Sequence, residues 1–157
     1  MEFRKAIERD IPGIMDIIRQ AQAYLKKSGI DQWQSGYPDE ETIRNDIRGG
    51  YGYVLTDGGV VGTVAVVFDG EKTYDIIYEG EWLTSGSYAT VHRIAVADGS
   101  KGKGLAGVMM KHIENLCRSR NVRSIKADTH EDNRSMQEFL RKNGFQYCGV
   151  IYLEDHS

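Results

Sequence analysis

The sequence predicts an α/β fold in which a mixed, mostly antiparallel central sheet is flanked by helices, in the order β-α-α-β-β-β-α-β-α-β. Segments with apolar residues three to four positions apart alternate with short β-branched segments, a pattern typical of helices and strands in one chain. Two strand segments are separated by a short turn that contains Asp-Gly, which indicates an antiparallel hairpin. A later pair is separated by a helix, which indicates parallel strands joined by a crossover. The 157 residues are expected to form one domain, residues 1–157.

The first third of the chain contains one strand and two helices. A strand is predicted over residues 3–8. The first helix is capped by Asp10 and ends at Ser28, and a second, shorter helix lies between Asp39 and Gly49.

The rest of the chain supplies the hairpin, the crossover and the final elements. The segment at residues 69–87 is acidic and aromatic, and its pattern favours neither helix nor strand. Before it, two hairpin strands are predicted at residues 51–55 and 60–68. After it come a central strand at 91–96, a long helix at 105–117 and a parallel strand at 124–128. The last helix is predicted at 133–143 and the last strand at 145–153.

A glycine-rich turn connects the central strand to the long helix. Gly102, Gly104 and Gly107 are interleaved with Lys101 and Lys103. Glycine allows backbone N–H groups to approach a ligand closely, and the N–H groups of the first helical turn have no partners within the helix. The helix dipole favours negative charge at the same place, so the turn is predicted to bind phosphate.

The turn has competing interpretations. It could be a connection without a ligand, or a dinucleotide site, because its glycines spell G-x-G-x-x-G and Asp128 follows at the spacing of a ribose-binding acid. The element order argues against the dinucleotide site. A Rossmann domain repeats parallel β-α-β units, whereas an antiparallel hairpin precedes this turn.

Two motifs resemble the GNAT superfamily of N-acetyltransferases. The run from Lys101 to Ala106 is similar to the (Q/R)-x-x-G-x-(G/A) motif, with Lys at the position where Arg or Gln is usual. Residues 133–145 are similar to N-x-x-A-x-x-(F/L)-Y-x-x-x-G-F, with Leu140 at the Tyr position. The element order is also that of the family. The resemblance covers most of the chain and implies acetyl transfer from acetyl-CoA to an amine by direct attack on the thioester.

The resemblance also implies which positions bind acetyl-CoA. Backbone groups of the central strand would pair with the pantetheine arm, N–H groups of the turn would hold the pyrophosphate, and Asn133 would hydrogen-bond the arm. A helix cap is the alternative role for Asn133. The implied positions are Ile94, Ala95, Val96, Lys101, Gly102, Lys103, Gly104, Leu105, Ala106, Asn133 and Met136.

The central strand carries the candidate catalytic groups. His92 is the candidate base, acting directly or through water, because an unperturbed histidine titrates near neutral pH. Its position resembles that of a histidine in arylalkylamine N-acetyltransferases; the alternative is a core histidine. Strand alternation predicts that His92, Ile94 and Val96 share one face. The backbone N–H near Val96 would stabilise the oxyanion of the thioester.

The general acid is left open by the sequence. The family often uses a tyrosine at the position of Leu140, so Tyr147, Tyr152, His130 and solvent remain candidates.

Aromatic residues are predicted to form the acceptor pocket. Trp33 and Tyr37 lie in the loop between the first two helices, and Tyr74 and Trp82 lie in the segment at residues 69–87. The carboxylates of that segment would attract a cationic amine, which favours a small primary amine or a polyamine-like cation as the acceptor. The alternative is a solvated loop whose aromatics pack in the core.

Composition narrows the classes of protein. A net charge of −3 disfavours nucleic-acid binding by a basic surface, and the longest apolar run is too short to span a membrane. The N-terminus has no signal-peptide core, and two cysteines form no disulfide framework, so a cytoplasmic location is expected. No cluster has zinc spacing, so no metal is expected.

Other functions stay open at this point. Leu140 motivates a CoA-binding regulatory module without turnover, and a peptide or protein N-acetyltransferase is a further alternative. The family usually has one more strand after the one ending near Leu153, so an open sheet edge could pair with a second subunit in a homodimer.

Overall fold

A five-stranded sheet forms the centre of the computed structural model, which describes residues 1–153. The strands are β1 (Glu2–Lys5), β2 (Gly52–Thr56), β3 (Val60–Val67), β4 (Ala89–Val96) and β5 (Ile125–Lys126). The helices are α1 (Ile11–Lys27), α2 (Glu40–Arg48), α3 (Leu105–Ser119) and α4 (Arg134–Lys142). Short 3-10 turns lie at Glu8–Asp10, Lys72–Tyr74 and Asp98–Ser100.

The strands are arranged in sequence order, and the sheet is mixed. β1 to β4 are antiparallel neighbours, and β5 is parallel to β4 across α3. The predicted fold class, the hairpin and the parallel crossover are therefore confirmed. The parallel pair is short, because only Ala89 and Thr90 of β4 have partners in β5.

Each face of the sheet covers its own apolar core. On one face, α3 packs Met109, Met110 and Ile113 against β2, β3 and β4. On the other face, α1 and α2 pack against β2, with Ile14 and Ile18 among the most buried side chains of α1. This arrangement follows from the apolar stripes of the helices, which bury one side against the sheet.

The helix starts agree with the sequence, but the two acidic caps behave differently. Asp39 caps α2, because its Oδ1 accepts the Thr42 N–H at 2.9 Å. Asp10 precedes α1 without a side-chain cap bond to that helix. Its buried carboxylate instead accepts the Ile7 N–H and pairs with Arg4, which holds the pKa of Asp10 below its usual range.

Two predicted strands differ from the structure. The first strand ends at Lys5, because the chain turns into a 3-10 helix at Glu8. The predicted last strand at residues 145–153 is wrong. Within the described residues this segment forms only one bridge, in which Tyr78 and Val150 exchange two hydrogen bonds of 2.8 Å. The described part of this segment therefore pairs with the loop at Tyr78 instead of extending the sheet, which ends at the two-residue strand β5.

Candidate functional site

A bulge in β4 decides which side chains face which side of the sheet. Ala95 is paired with Thr63 and His92 with Ala65, so the single residue Val64 lies opposite both Arg93 and Ile94. Arg93 has a φ of 53°, a conformation in which non-glycine residues are uncommon. An extra residue in one strand shifts the alternation of side chains by one position.

The bulge overturns the predicted shared face of His92, Ile94 and Val96. Ile94 and Val96 pack against the core under α3. His92 lies opposite Ala65, and the guanidinium of Arg93 contacts Asp46 of α2, so both side chains lie on the α1 and α2 side. The prediction was wrong because it assumed an unbroken period of two.

The C-terminal half of β4 has an unpaired edge. Beyond Thr90, no strand among residues 1–153 pairs with the edge of β4 that faces away from β3. The Ala97 N–H donates to the Val61 carbonyl at 2.9 Å, so Ala95 and Ala97 direct their backbone groups toward β3. Ile94 and Val96 therefore direct their N–H and C=O groups toward the free edge.

The glycine-rich turn leads from this edge into α3. Gly102 and Gly104 have φ values of 81° and 71°, and a Cβ added at either would meet nothing within 4 Å. Gly104 is the residue before the helix, and no side chain in the described part of the chain caps this end. The first helical N–H with a backbone partner is that of Val108, so the N–H groups of residues 105–107 have no intrahelical acceptor.

The two lysines of the turn are arranged differently. The Lys101 Nζ lies 3.0 Å from Asp98 Oδ1 and 4.5 Å from the centre of the Tyr24 ring, so its side chain is directed toward α1. Lys103 is exposed. The turn is further attached to α1 by Gln20, whose Oε1 accepts the Asp98 N–H at 2.7 Å.

Asn133 serves as the cap of α4. Its Oδ1 accepts the Met136 N–H at 3.1 Å, and its Nδ2 donates to Gln32 Oε1 at 2.8 Å. Asn133 is buried and Gln32 is half-buried, and their hydrogen bond holds the loop between α1 and α2 against the start of α4. The helix-cap alternative for this residue is correct, and sequence reasoning missed its contact with Gln32.

His92 belongs to a polar cluster on the α1 and α2 side of β4. Its Nε2 lies 3.2 Å from Glu71 Oε1. Arg93 next to it forms two hydrogen bonds to Asp46, of 2.9 and 2.6 Å, and donates to Tyr37 Oη at 2.8 Å. We call His92, Arg93, Glu71, Asp46 and Asp128 the His92 cluster.

The surroundings of His92 lower the pKa of its imidazole, which favours the neutral form. Burial lowers the pKa of His92, and the positive charge of Arg93 lowers it further. Asp128, Glu71 and Asp46 act in the opposite direction but do not compensate. A neutral imidazole has a lone pair that can accept a proton, so His92 is in the form that a general base requires.

The predicted acceptor aromatics separate into different environments. Tyr74 is buried, and its hydroxyl donates to Asp128 Oδ1 at 2.5 Å, so it belongs to the core beneath the segment. Burial and Asp128 raise the pKa of Tyr74 far above its usual range. Trp82 donates its indole N–H to the Tyr74 carbonyl, and Trp33 packs against the core of α1 and α2. Of the four, Tyr37 contacts the His92 cluster through Arg93, and Tyr74 contacts it through Asp128.

Lys126 of β5 is buried and lies against two aromatic rings. Its Nζ lies 4.4 Å from the ring centre of Trp82 and 3.9 Å from that of Tyr88. Burial lowers the pKa of this lysine. Sequence reasoning gave no role to Lys126, Arg93 or Asp46, because nothing in their local spacing marks a contact made across the fold.

The candidates for the general acid have dissimilar surroundings. Tyr147 and Tyr152 are exposed, with 76% and 67% of their surface accessible. His130 Nδ1 accepts the Asp132 N–H at 3.1 Å in a loop, and Leu140 is half-buried on α4. Among residues 1–153, no group of three or more His, Cys, Asp or Glu side chains is arranged to hold a metal ion.

Comparison with known proteins agrees with this architecture. The fold and the open strand edge beside a glycine-rich helix start define an acyl-CoA N-acyltransferase. The model of the acetyltransferase (GNAT) family matches residues 17–145. The chain therefore belongs to the GNAT acetyltransferase family, and the dinucleotide interpretation of the turn is wrong. No curated protein matches the chain.

Solved structures give the same result. A GNAT-family acetyltransferase from Streptococcus agalactiae is 40% identical, with a TM-score of 0.88 over 99% of this chain and 90% of that one. One from Listeria monocytogenes is 24% identical, with a TM-score of 0.75 over 99% and 90% of the chains. AAC(6')-Iy in complex with the bisubstrate analog CoA-S-monomethyl-acetylneamine is 14% identical, with a TM-score of 0.69 over 99% and 98%. No helix among the described residues is long and apolar enough to cross a membrane.

Proposed function

We propose that this acetyltransferase moves the acetyl group of acetyl-CoA to the amine of a small, cationic acceptor by direct nucleophilic attack. The observation that carries the proposal is the position of His92 beside the bulge of β4, on the opposite face from Ile94 and Val96, whose backbone groups lie at the unpaired edge of the strand. The strand thus presents backbone donors at its free edge and a base on one face.

The residues of the donor side fit acetyl-CoA. The N–H groups of residues 105–107 have no helical acceptor, and Gly102 and Gly104 leave open space where a side chain would begin. These groups would hold the pyrophosphate. Ile94 and Val96 would bind the pantetheine amides through their backbone groups, as an added strand binds a sheet edge. Ala95, Lys101, Lys103, Asn133 and Met136 are further proposed contacts.

The chemistry assigned to the chain is proton removal and charge stabilisation. Acetyl-CoA supplies the activated acetyl group when it is bound. His92 accepts a proton from the acceptor amine, directly or through water, because an ammonium group has no lone pair for attack. The Val96 N–H donates a hydrogen bond to the thioester carbonyl oxygen, where negative charge develops.

The charge around His92 supports a cationic acceptor. The pKa of His92 is raised by three carboxylates, those of Asp128, Glu71 and Asp46. Arg93 is the one cation among the groups that shift this pKa. Asp75, Glu79 and Glu81 add exposed negative charge on the same segment. A surface with this excess of carboxylates attracts amines through long-range electrostatics.

An amine panel tests the proposal. The purified chain is mixed with acetyl-CoA and with di- and polyamines, neutral-chain amines, amino acids or amino-terminal peptides, and free CoA thiol is measured. We expect thiol release with cationic small amines, and a loss of about 100- to 10,000-fold in kcat/KM for His92→Gln. Turnover restricted to acidic or neutral acceptors would contradict the assignment of the acceptor.

The same panel addresses a regulatory CoA-binding module, which Leu140 at the usual tyrosine position favours. A calorimetric titration with acetyl-CoA accompanies the assay. Binding of acetyl-CoA without thiol release for any amine would support that second function over the first. Release with peptides alone would instead identify a peptide N-acetyltransferase.

A further inference from the structure

We propose that Glu71 is a positioning residue that holds His92 in the tautomer with its proton on Nε2, so that Nδ1 is the atom that accepts the proton from the acceptor amine. The inference rests on the proposed function of His92 and adds a residue to it. The sequence offered Glu71 only as one of several acids in a loop.

Glu71 is fixed from several directions that do not involve His92. Its Oε2 accepts the Thr73 N–H at 3.1 Å and the Thr73 hydroxyl at 3.0 Å. Its own backbone N–H donates to the hydroxyl of Tyr88 at 2.9 Å. These contacts leave Oε1 as the carboxylate oxygen directed to His92 Nε2, at 3.2 Å.

The pair lies in a partly dry environment. The side chain of His92 is 19% exposed and that of Glu71 is 26% exposed. In such a site an ionised carboxylate favours a nitrogen that carries a proton over one that presents a lone pair. The neutral imidazole therefore keeps its proton on Nε2, and the lone pair lies on Nδ1.

The proton transfer then balances without another reactant. An N–H bond of the acceptor breaks and an N–H bond forms on His92 Nδ1, directly or across one water. The resulting imidazolium carries the positive charge beside Glu71, and the proton later passes to solvent. A carboxylate that orients a histidine and stabilises its protonated form is a known arrangement in hydrolases.

The other charges around His92 come from three elements. Arg93 lies next to it on β4, Asp46 lies on α2, and Asp128 follows β5. Burial and Arg93 lower the pKa of His92, whereas the three carboxylates raise it. Removal of the Glu71 charge should lower the pKa of the imidazole. Since protonation inactivates a base, the acidic limb of the pH–rate profile should move to lower pH.

The experiment compares kcat/KM across pH for Glu71→Gln and for Asp57→Asn. Both variants remove one negative charge, but Asp57 is exposed in the turn between β2 and β3 and lies outside both the His92 cluster and the acidic segment at residues 69–87. For Glu71→Gln we expect a loss of about 10- to 100-fold at the pH optimum and an acidic limb at lower pH. For Asp57→Asn we expect a change of less than about twofold and an unmoved limb.

His92→Gln separates the two proposals. If this variant keeps the acidic limb, His92 is not the base and the proposed function fails at that residue. If it loses the limb while Glu71→Gln leaves the limb in place, the role of Glu71 alone is refuted.

Nitrogen NMR of the protein without substitutions tests the tautomer of His92 directly. This test does not require any variant to fold. At a pH where His92 is neutral, we expect its Nε2 to show the shift of a protonated nitrogen and its Nδ1 that of an unprotonated one. The reverse pattern would overturn the proposal.

Discussion

The two sides of β4 are built in different ways. The donor side, which is where we propose that the acetyl donor acetyl-CoA binds, consists of backbone groups from one continuous stretch. This stretch runs from Ile94 through the glycine-rich turn to the start of α3. The His92 side consists of side chains that are far apart in the chain, since Arg93 and Asp46 are 47 positions apart and Tyr74 and Asp128 are 54 apart. A backbone site depends on conformation and open space, whereas a side-chain site depends on every partner being present.

Burial separates the two sides as well. Gly102 and Gly104 of the turn are exposed and have room around them. The side chains of Arg93 and Asp46 are each 13% exposed, and both groups are charged. The loss of one member of a buried ion pair leaves an uncompensated charge, so substitutions on this side should affect folding as well as activity.

The largest effect is expected from Asp46→Ala. This change leaves the guanidinium of Arg93 buried without its carboxylate, and we expect the free energy of unfolding to fall by about 3 to 5 kcal/mol. Urea unfolding measures the loss. Asp16→Ala is the control, because Asp16 pairs with Arg19 on the surface and is 72% exposed. Similar losses for the two variants would show that the His92 side is no more dependent on its partners than the surface is.

The next effect belongs to the donor side. Gly104→Glu places bulk and negative charge at the start of α3, and we expect the Kd for acetyl-CoA to rise at least about 100-fold, which is about 2.7 kcal/mol. Because Gly104 has a φ of 71°, any side chain there adds strain of about 1 to 2 kcal/mol to the fold.

Gly104→Gln isolates that strain, since glutamine in the same left-handed conformation adds nearly the same bulk as glutamate but carries no charge. Calorimetry gives the Kd of each variant for acetyl-CoA, and thermal unfolding gives the stability of each variant. An unchanged Kd in Gly104→Glu would place the donor site elsewhere.

The smallest effect is expected from Lys101→Ala. The lysine interacts with Asp98 and with the ring of Tyr24, and it is 48% exposed, so its removal should change stability by less than about 1 kcal/mol. We expect the Kd for acetyl-CoA to change by less than about fivefold, because the proposed anion site consists of backbone N–H groups. Lys103→Ala is the matched comparison. A tenfold or greater loss of affinity for acetyl-CoA in Lys101→Ala would mean that side chains contribute substantially to binding on the donor side.

The sequence predicted the parts of the site that depend on neighbouring residues. The strand, the glycines at positive φ and the uncapped start of α3 follow one another along the chain, so their geometry is set by local conformational preferences. The role of Asn133 as a helix cap could be predicted for the same reason, since its contact with Met136 spans only three positions.

The sequence did not predict the features that arise from packing. The bulge at Arg93 depends on the register of β4 against β3, and nothing in the run from Val91 to Val96 marks it. The missing last strand has a similar cause, because Val150 pairs with Tyr78, a residue of a loop that is far away in the chain.

By itself, the sequence determined the fold class, the order of the elements as far as the last helix and the glycine-rich turn before α3, because periodicity, capping and glycine conformation act within a few residues. Only the tertiary structure decided that His92 faces Glu71 and that Arg93 is paired with Asp46. Those contacts join segments that meet only when the sheet and its covering loop have packed. Their energies depend on the burial that packing creates.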